Sequence, residues 1–298
     1  MNEISGNKYF ETLKKLYFDE RYKSSKNEYY KQWIEHKYSH SIEVANVGVD
    51  IMNNADELDY LTEQEKNVLI SALLMHDAAR PKEVDHITGE GIRLDHAIEA
   101  ARDLLTSGEE DLAVLIPVMM HSAYNDNMIK LDDVQLNDWY EFNNLNSDEQ
   151  QFVWLMREKF FDCDDNEKQL IIDAVWLVKD ADKMANILED RRMLSLERLP
   201  KILTIDDVNI KDFFDGRLIK NQNRKTYVDV IWSVGAWFND LYYSYTKKLY
   251  AKNNVMQKLK DYALDIHNDA GEDEKKEIIK LFDRAIEFVE SRSDEKNN

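Results

Sequence analysis

Seven histidines stand in this chain of 298 residues, and His36, His40, His76, His86, His96 and His121 fall in its first half. Their neighbours make them chemically interesting. His40 shares a helical stripe with Val44, Val47 and Ile51, His76 follows Leu69, Ala72 and Leu73 on one face, and His121 follows Val114, Pro117 and Val118. An imidazole buried among such side chains is costly unless something pairs with it. One histidine in that position is most often a hydrogen-bonded core residue. His40, His76, His96 and His121 on separate helices, with Asp77 beside one of them, are better explained by a shared metal ion, which partners every group at once. Neutral imidazoles with carboxylates suit Fe, Mn, Ni or Zn rather than Ca or Mg, so the expected cofactor is a divalent transition metal.

The closing carboxylate is expected from the apolar run Leu177-Val178-Lys179-Asp180-Ala181-Asp182-Lys183-Met184. Asp182 follows Val178 and precedes Ala185 at helical spacing, which turns it inward. At roughly 100° per residue Asp180 lies about 160° away, so Asp182 is taken as the ligand and Asp180 as a group that steadies the helix or supports the ligands from behind. His36 stands four residues before His40 and can share its face, His86 sits in the loop after the doublet and is open to a substrate contact, and His267 is expected at the surface. The single cysteine, Cys163, sits among Asp162, Asp164 and Asp165, whose charge raises a thiol pKa and argues against a nucleophile. One cysteine also forms no intramolecular disulfide, which fits a reducing cytoplasm. Trp154, Trp176, Trp232 and Trp237 are expected in packing, and Trp139 is open to a nucleobase-stacking role as well as to packing.

The elements that must position these residues are helical. Only 8 glycines and 3 prolines interrupt the chain, and apolar residues recur with helical period. An all-α fold is therefore expected, with helices over 9–23, 28–37, 39–54, 62–79, 95–105, 109–122, 147–161, 166–193, 226–251, 255–267 and 273–291. Thr62 and Glu65 have the spacing of a capping box. The stretches 81–94, with Gly89 and Gly91, and 125–146, rich in Asn and Asp, read as loops. With 39 basic against 59 acidic residues, a net charge of −20, the chain is a poor partner for a nucleic-acid duplex, which needs Lys and Arg against its phosphates. The start of the sequence has no apolar signal core, and no run approaches the 18 or so apolar residues a membrane span needs. A cytoplasmic protein that neither spans nor anchors in a membrane is expected.

Five segments in order, His40-Ser41-Ile42-Glu43-Val44-Ala45, Leu73-Leu74-Met75-His76-Asp77-Ala78-Ala79-Arg80, Asp95-His96-Ala97, Met120-His121-Ser122 and Asp180-Ala181-Asp182-Lys183-Met184, resemble the HD superfamily of metal-dependent phosphohydrolases. The His-Asp doublet alone is weak, but the ordered set, spanning roughly 28–195, is specific. The resemblance implies an HD-type helical bundle over 1–200. A helical extension over 201–298 would pack on it or make an oligomer contact. Its stretch from Asp229-Val230-Ile231-Trp232 to Trp237-Phe238-Asn239-Asp240-Leu241-Tyr242 is similar to that of small bacterial members. The resemblance further implies that His40, His76, Asp77 and Asp182 hold the metal common to the superfamily. His96 and His121 would add a second ion, with Asp77 bridging. The implied activity is hydrolysis of a phosphomonoester or phosphodiester, a nucleotide among the options, by a metal-bridged hydroxide. The partner is then a small phosphorylated substrate, with Arg80 and Lys183 as nearby cations against its charge. Where the family often has glycine before that cation, this chain has Ala79. A di-iron oxygenase built on the same ligands is the first alternative. A catalytically inactive binding module is the second, and the complete ligand set argues against it.

Overall fold

The computed structural model describes residues 4–82, 95–122, 145–188 and 199–294. Among these residues the regular elements are helices and none is a strand, as the scarcity of helix breakers predicts. The chain divides into two compact units, Met1–Ala185 and Asn186–Asn298. Among the described residues no helix is long and apolar enough to cross a membrane. Most of the two stretches read as loops, together with His86 and Trp139, lies outside the described residues.

The first unit opens with two short helices, α1 (Phe10–Tyr17) and α2 (Glu20–Ser24), the latter capped by Asp19, whose side chain accepts from Tyr22 N. The separate helices expected over 28–37 and 39–54 are one helix, α3 (Glu28–Asn54), 27 residues long and capped by Asn27. Nothing at Tyr38 or Ser39 breaks it, because neither lacks a backbone N–H or forces an unusual φ. The helix α4 (Glu63–Met75) starts with the capping box its sequence predicts, Thr62 and Glu65 bonding reciprocally. Asp95 caps α5 (His96–Thr106) by accepting from Ala97 N and Ile98 N, and Asp111 caps α6 (Leu112–Met120). Asn146 and Glu149 form a second capping box at the start of α7 (Ser147–Asp162), and α8 (Asp165–Leu188) follows.

Residues 113–120 of α6 are all buried, so this helix is apolar all round and runs through the middle of the unit. It packs against α4, α5 and α7, and Val44 and Ile51 of α3, Leu69 and Leu73 of α4, Met156 and Phe160 of α7, and Ala174 and Val178 of α8 are buried as well. Fully burying an aliphatic side chain of this size is worth about 1.5–3 kcal/mol, which holds the helices in fixed relation. The α3–α4 contact is especially close. A Cβ built on Gly48 would stand 2.3 Å from Leu73 Cδ1, so only glycine allows the approach.

The second unit contains α9 (Asp207–Phe214), α10 (Tyr227–Gly235), α11 (Ser244–Lys252), α12 (Val255–Ile266) and α13 (Glu272–Arg292). The helix expected over 226–251 is interrupted by a 3-10 turn at Ala236–Asp240 and extended backbone at Leu241 and Tyr243. Asn239 is drawn out of the helical pattern by donating to the carbonyls of Phe213 and Arg217. Trp232 is fully buried between Phe213 and Phe282 and donates its indole N–H to Asn209 O. Two single-residue expectations fail, one in each unit. Trp154 is 42% exposed rather than packed, lying under the Arg157 guanidinium. His267 is buried, at 3% exposure, rather than on the surface, because it closes α12 by donating Nδ1–H to the Ala263 carbonyl.

Candidate metal centre

Helix ends deliver most of the candidate ligands. The helix α4 stops at Met75, short of the expected 79, and His76 immediately follows it. Its Nδ1 lies 2.8 Å from the Leu73 carbonyl, one of the orphan acceptors at a helix C-terminus. The same device ends α6, where His121 Nδ1 lies 2.7 Å from Val118 O. In both rings the Nδ1–H donates to the carbonyl, which fixes the tautomer and leaves Nε2 with a lone pair aimed away from the helix. His96 is the first residue of α5, His40 sits midway along α3, and Asp182 comes from α8.

All six residues named from the sequence come together within the first unit. Asp77 Oδ1 is 3.4 Å from both His96 Nε2 and His121 Nε2, while Oδ2 is 3.8 Å from His76 Nε2. Asp182 Oδ1 is 2.9 Å from His40 Nε2 and 3.9 Å from His76 Nε2. The two imidazoles of His96 and His121 face one another with Nε2 atoms 3.2 Å apart. Two triads, His40/His76/Asp182 and His76/Asp77/His121, each bring their ligand atoms within 4.8 Å of one another.

Burial sets the charge of this cluster. His76 is completely buried, and desolvation pushes its pKa down from 6.5 to about 3, so the ring is neutral at ordinary pH. Burial would raise the Asp77 carboxyl, but Arg80 and Lys37 beside it outweigh that and hold it well below the usual carboxylate range. Lys37 Nζ is 3.1 Å from Asp77 Oδ2, and Arg80 Nε is 3.0 Å from Oδ1. The fully buried Tyr17 donates its hydroxyl to the Asp77 backbone carbonyl at 2.7 Å, fixing the turn that follows the doublet.

The residues could hold a metal ion. His76 Nε2 is sealed from solvent and has no hydrogen-bond partner among the described residues, an arrangement that buried polar atoms rarely tolerate. It lies 3.8 and 3.9 Å from two carboxylate oxygens, too far to hydrogen-bond. Ligand atoms at about 2.0–2.2 Å from one ion stand about 3–4 Å apart.

No family model, curated protein or solved structure matches this chain.

Around the cluster, His36 has its ring centre 6.4 Å from that of His40 but belongs to neither triad. Asp180 is fully buried on α8. Arg80 keeps 24% of its side chain exposed, and Lys183 follows Asp182 half-buried. Cys163 lies elsewhere, its thiol pushed up in the expected direction, but by burial and the charge of Glu167 ahead of Asp164, the one adjacent carboxylate that contributes. Sequence reasoning passed over Lys37 and Tyr17. Lys37 had a signal, since it stands three residues before His40 on one helical face. Tyr17 had none, because its role depends on how α1 meets the turn after α4.

Proposed function

We infer that this chain is a metal-dependent phosphohydrolase of the HD type, acting on a small phosphomonoester or phosphodiester. The observation that carries the reading is the buried, unpartnered His76 Nε2 facing Asp77 and Asp182. Together with His40, these residues would hold one divalent transition metal. The second would take His96, His121 and the other oxygen of Asp77. His76 cannot serve both ions, because its Nδ1 is committed to Leu73 O. Asp77 can, because its two oxygens face different imidazoles.

Bound ions would supply Lewis acidity towards a phosphoryl oxygen and activated water at neutral pH. The chain contributes the rest. Its helices bury His40, His76, Asp77 and His121 and leave Asp182 and His96 partly open, so charges on the buried side interact strongly. Arg80, partly exposed beside Asp77, and Lys183, beside Asp182, offer positive charge to the non-bridging oxygens of an incoming phosphate. Fe, Mn, Ni and Zn all suit the donor set.

Metal analysis of the purified protein, with a phosphatase and phosphodiesterase substrate screen on wild type, His76→Ala and His121→Ala, tests the reading. About two metals per chain, reduced in both variants along with hydrolysis, is the expected result. One metal retained in His121→Ala would make the centre mononuclear. Consumption of O₂ by the iron-loaded protein without hydrolysis would move the assignment to an oxygenase. No metal uptake under any loading condition would end it.

A further inference from the structure

Asp77 has two cations and three imidazoles close to its carboxylate. Its Oδ2 is 3.1 Å from Lys37 Nζ and its Oδ1 is 3.0 Å from Arg80 Nε. Those are the same two oxygens that face the imidazole nitrogens, Oδ2 towards His76 and Oδ1 towards His96 and His121. Each oxygen the proposed ions would use thus already carries a protein cation. Lys37 is held tightly, with only 13% of its side chain exposed. It comes from α3, one turn before His40, so the helix that supplies a ligand also supplies a competitor.

Lys37 and Arg80 already set two positive charges against the single negative charge of Asp77. Each divalent ion would add two more positive charges to an enclosure where unit charges a few ångströms apart repel strongly. A metal at Asp77 must therefore loosen the contacts that Lys37 and Arg80 make.

We propose that Lys37, with Arg80, is a resident counter-cation of Asp77 that keeps the metal-free site assembled and competes with the incoming metal for the carboxylate. This rests on the metal-site reading above and adds a sign to it. A group that merely orients a metal ligand strengthens metal binding, and its loss typically costs about 10–100-fold in affinity. Loss of a competing cation does the opposite. Metal affinity rises, while the metal-free protein, left with an uncompensated buried carboxylate, becomes less stable.

The test is calorimetric titration of the metal-depleted full chain with Zn²⁺, using wild type, Lys37→Met and Lys37→Arg. Lys37→Met is expected to bind about tenfold tighter or more, within the usual range of coupling between sites. It should also melt lower without metal and regain wild-type stability with it. Lys37→Arg keeps the charge and should stay near wild type in both measurements. Unchanged or weaker zinc binding by Lys37→Met overturns the proposal, as does an equal loss of stability with and without metal. If Lys37→Met folds only with zinc present, the rate of zinc loss to a chelator replaces the titration. Slower loss than wild type supports the competitor role, and equal or faster loss refutes it. Failure of the wild type to bind any metal would bring down the underlying site assignment, an outcome distinct from intact binding that ignores Lys37.

Discussion

With Nδ1 committed to the Leu73 carbonyl and Nε2 sealed from water, His76 must stay neutral or meet a cation. This has a consequence for acid stability. The unfolded ring takes up a proton near its ordinary pKa of 6.5, whereas burial holds the folded ring to about 3. Between those values the unfolded state binds more protons, so the stability that neutral His76 contributes is full above pH 6.5 and is lost progressively as pH falls. Asp77, depressed below 3.8, loses its contribution only at still lower pH. Urea denaturation of the metal-depleted protein from pH 7 to pH 4 should show stability declining towards acid. The decline should be shallower in His76→Gln, and equal slopes would mean that the folded ring takes up its proton as readily as the unfolded one. The six candidate positions were legible because polar residues interrupt apolar stripes and because a known doublet stands among them. Lys37 was not singled out, since a lysine on a helix is ordinary until the carboxylate it reaches is known.

Helix ends and helix contacts turn those residues into a site. Both α4 and α6 terminate on a histidine that donates back to its own last turn, so one residue ends the helix and presents a donor atom. Apolar periodicity alone runs past these points, because Ala78 and Ala79 after His76 look like more core. That is why the expected helices over 62–79 and 109–122 overshoot, while starts marked by Thr62, Asp95 or Asn146 are found accurately. The contact of α3 with α4 sets the separation of His40 from His76. It depends on Gly48, whose added Cβ would lie 2.3 Å from the fully buried Leu73. Overpacking of this kind typically costs about 1–3 kcal/mol. The helix-propensity gain from replacing glycine recovers less than about 1 kcal/mol, so crowding wins. Gly48→Val is expected to destabilise the protein by about 1–3 kcal/mol and to weaken metal binding as His40 moves from His76. Denaturant titration paired with a zinc titration checks both effects. Wild-type values in both would show that Leu73 can repack without shifting α3.

At the scale of the whole molecule the candidate ligands all belong to one of the two compact units, Met1–Ala185. The all-α class follows from composition, and most helices are readable from periodicity. The break at Ala236–Asp240 and the short α9 were not, because the carbonyls that capture Asn239 come from residues distant in sequence. Division into units makes a metal ion a local probe. A ligand that binds only the folded state stabilises it by about 2.7 kcal/mol when present at a hundred times its dissociation constant. That gain protects only the amides whose exposure requires the site to open. Hydrogen exchange with and without zinc should therefore slow in peptides covering 28–54, 63–82, 96–122 and 165–185. Peptides over 207–292 should be unchanged. Equal slowing in both sets would mean that the two units open as one cooperative body, and zinc would then report on the entire chain. Slowing confined to 207–292 would place the metal outside the histidine cluster altogether.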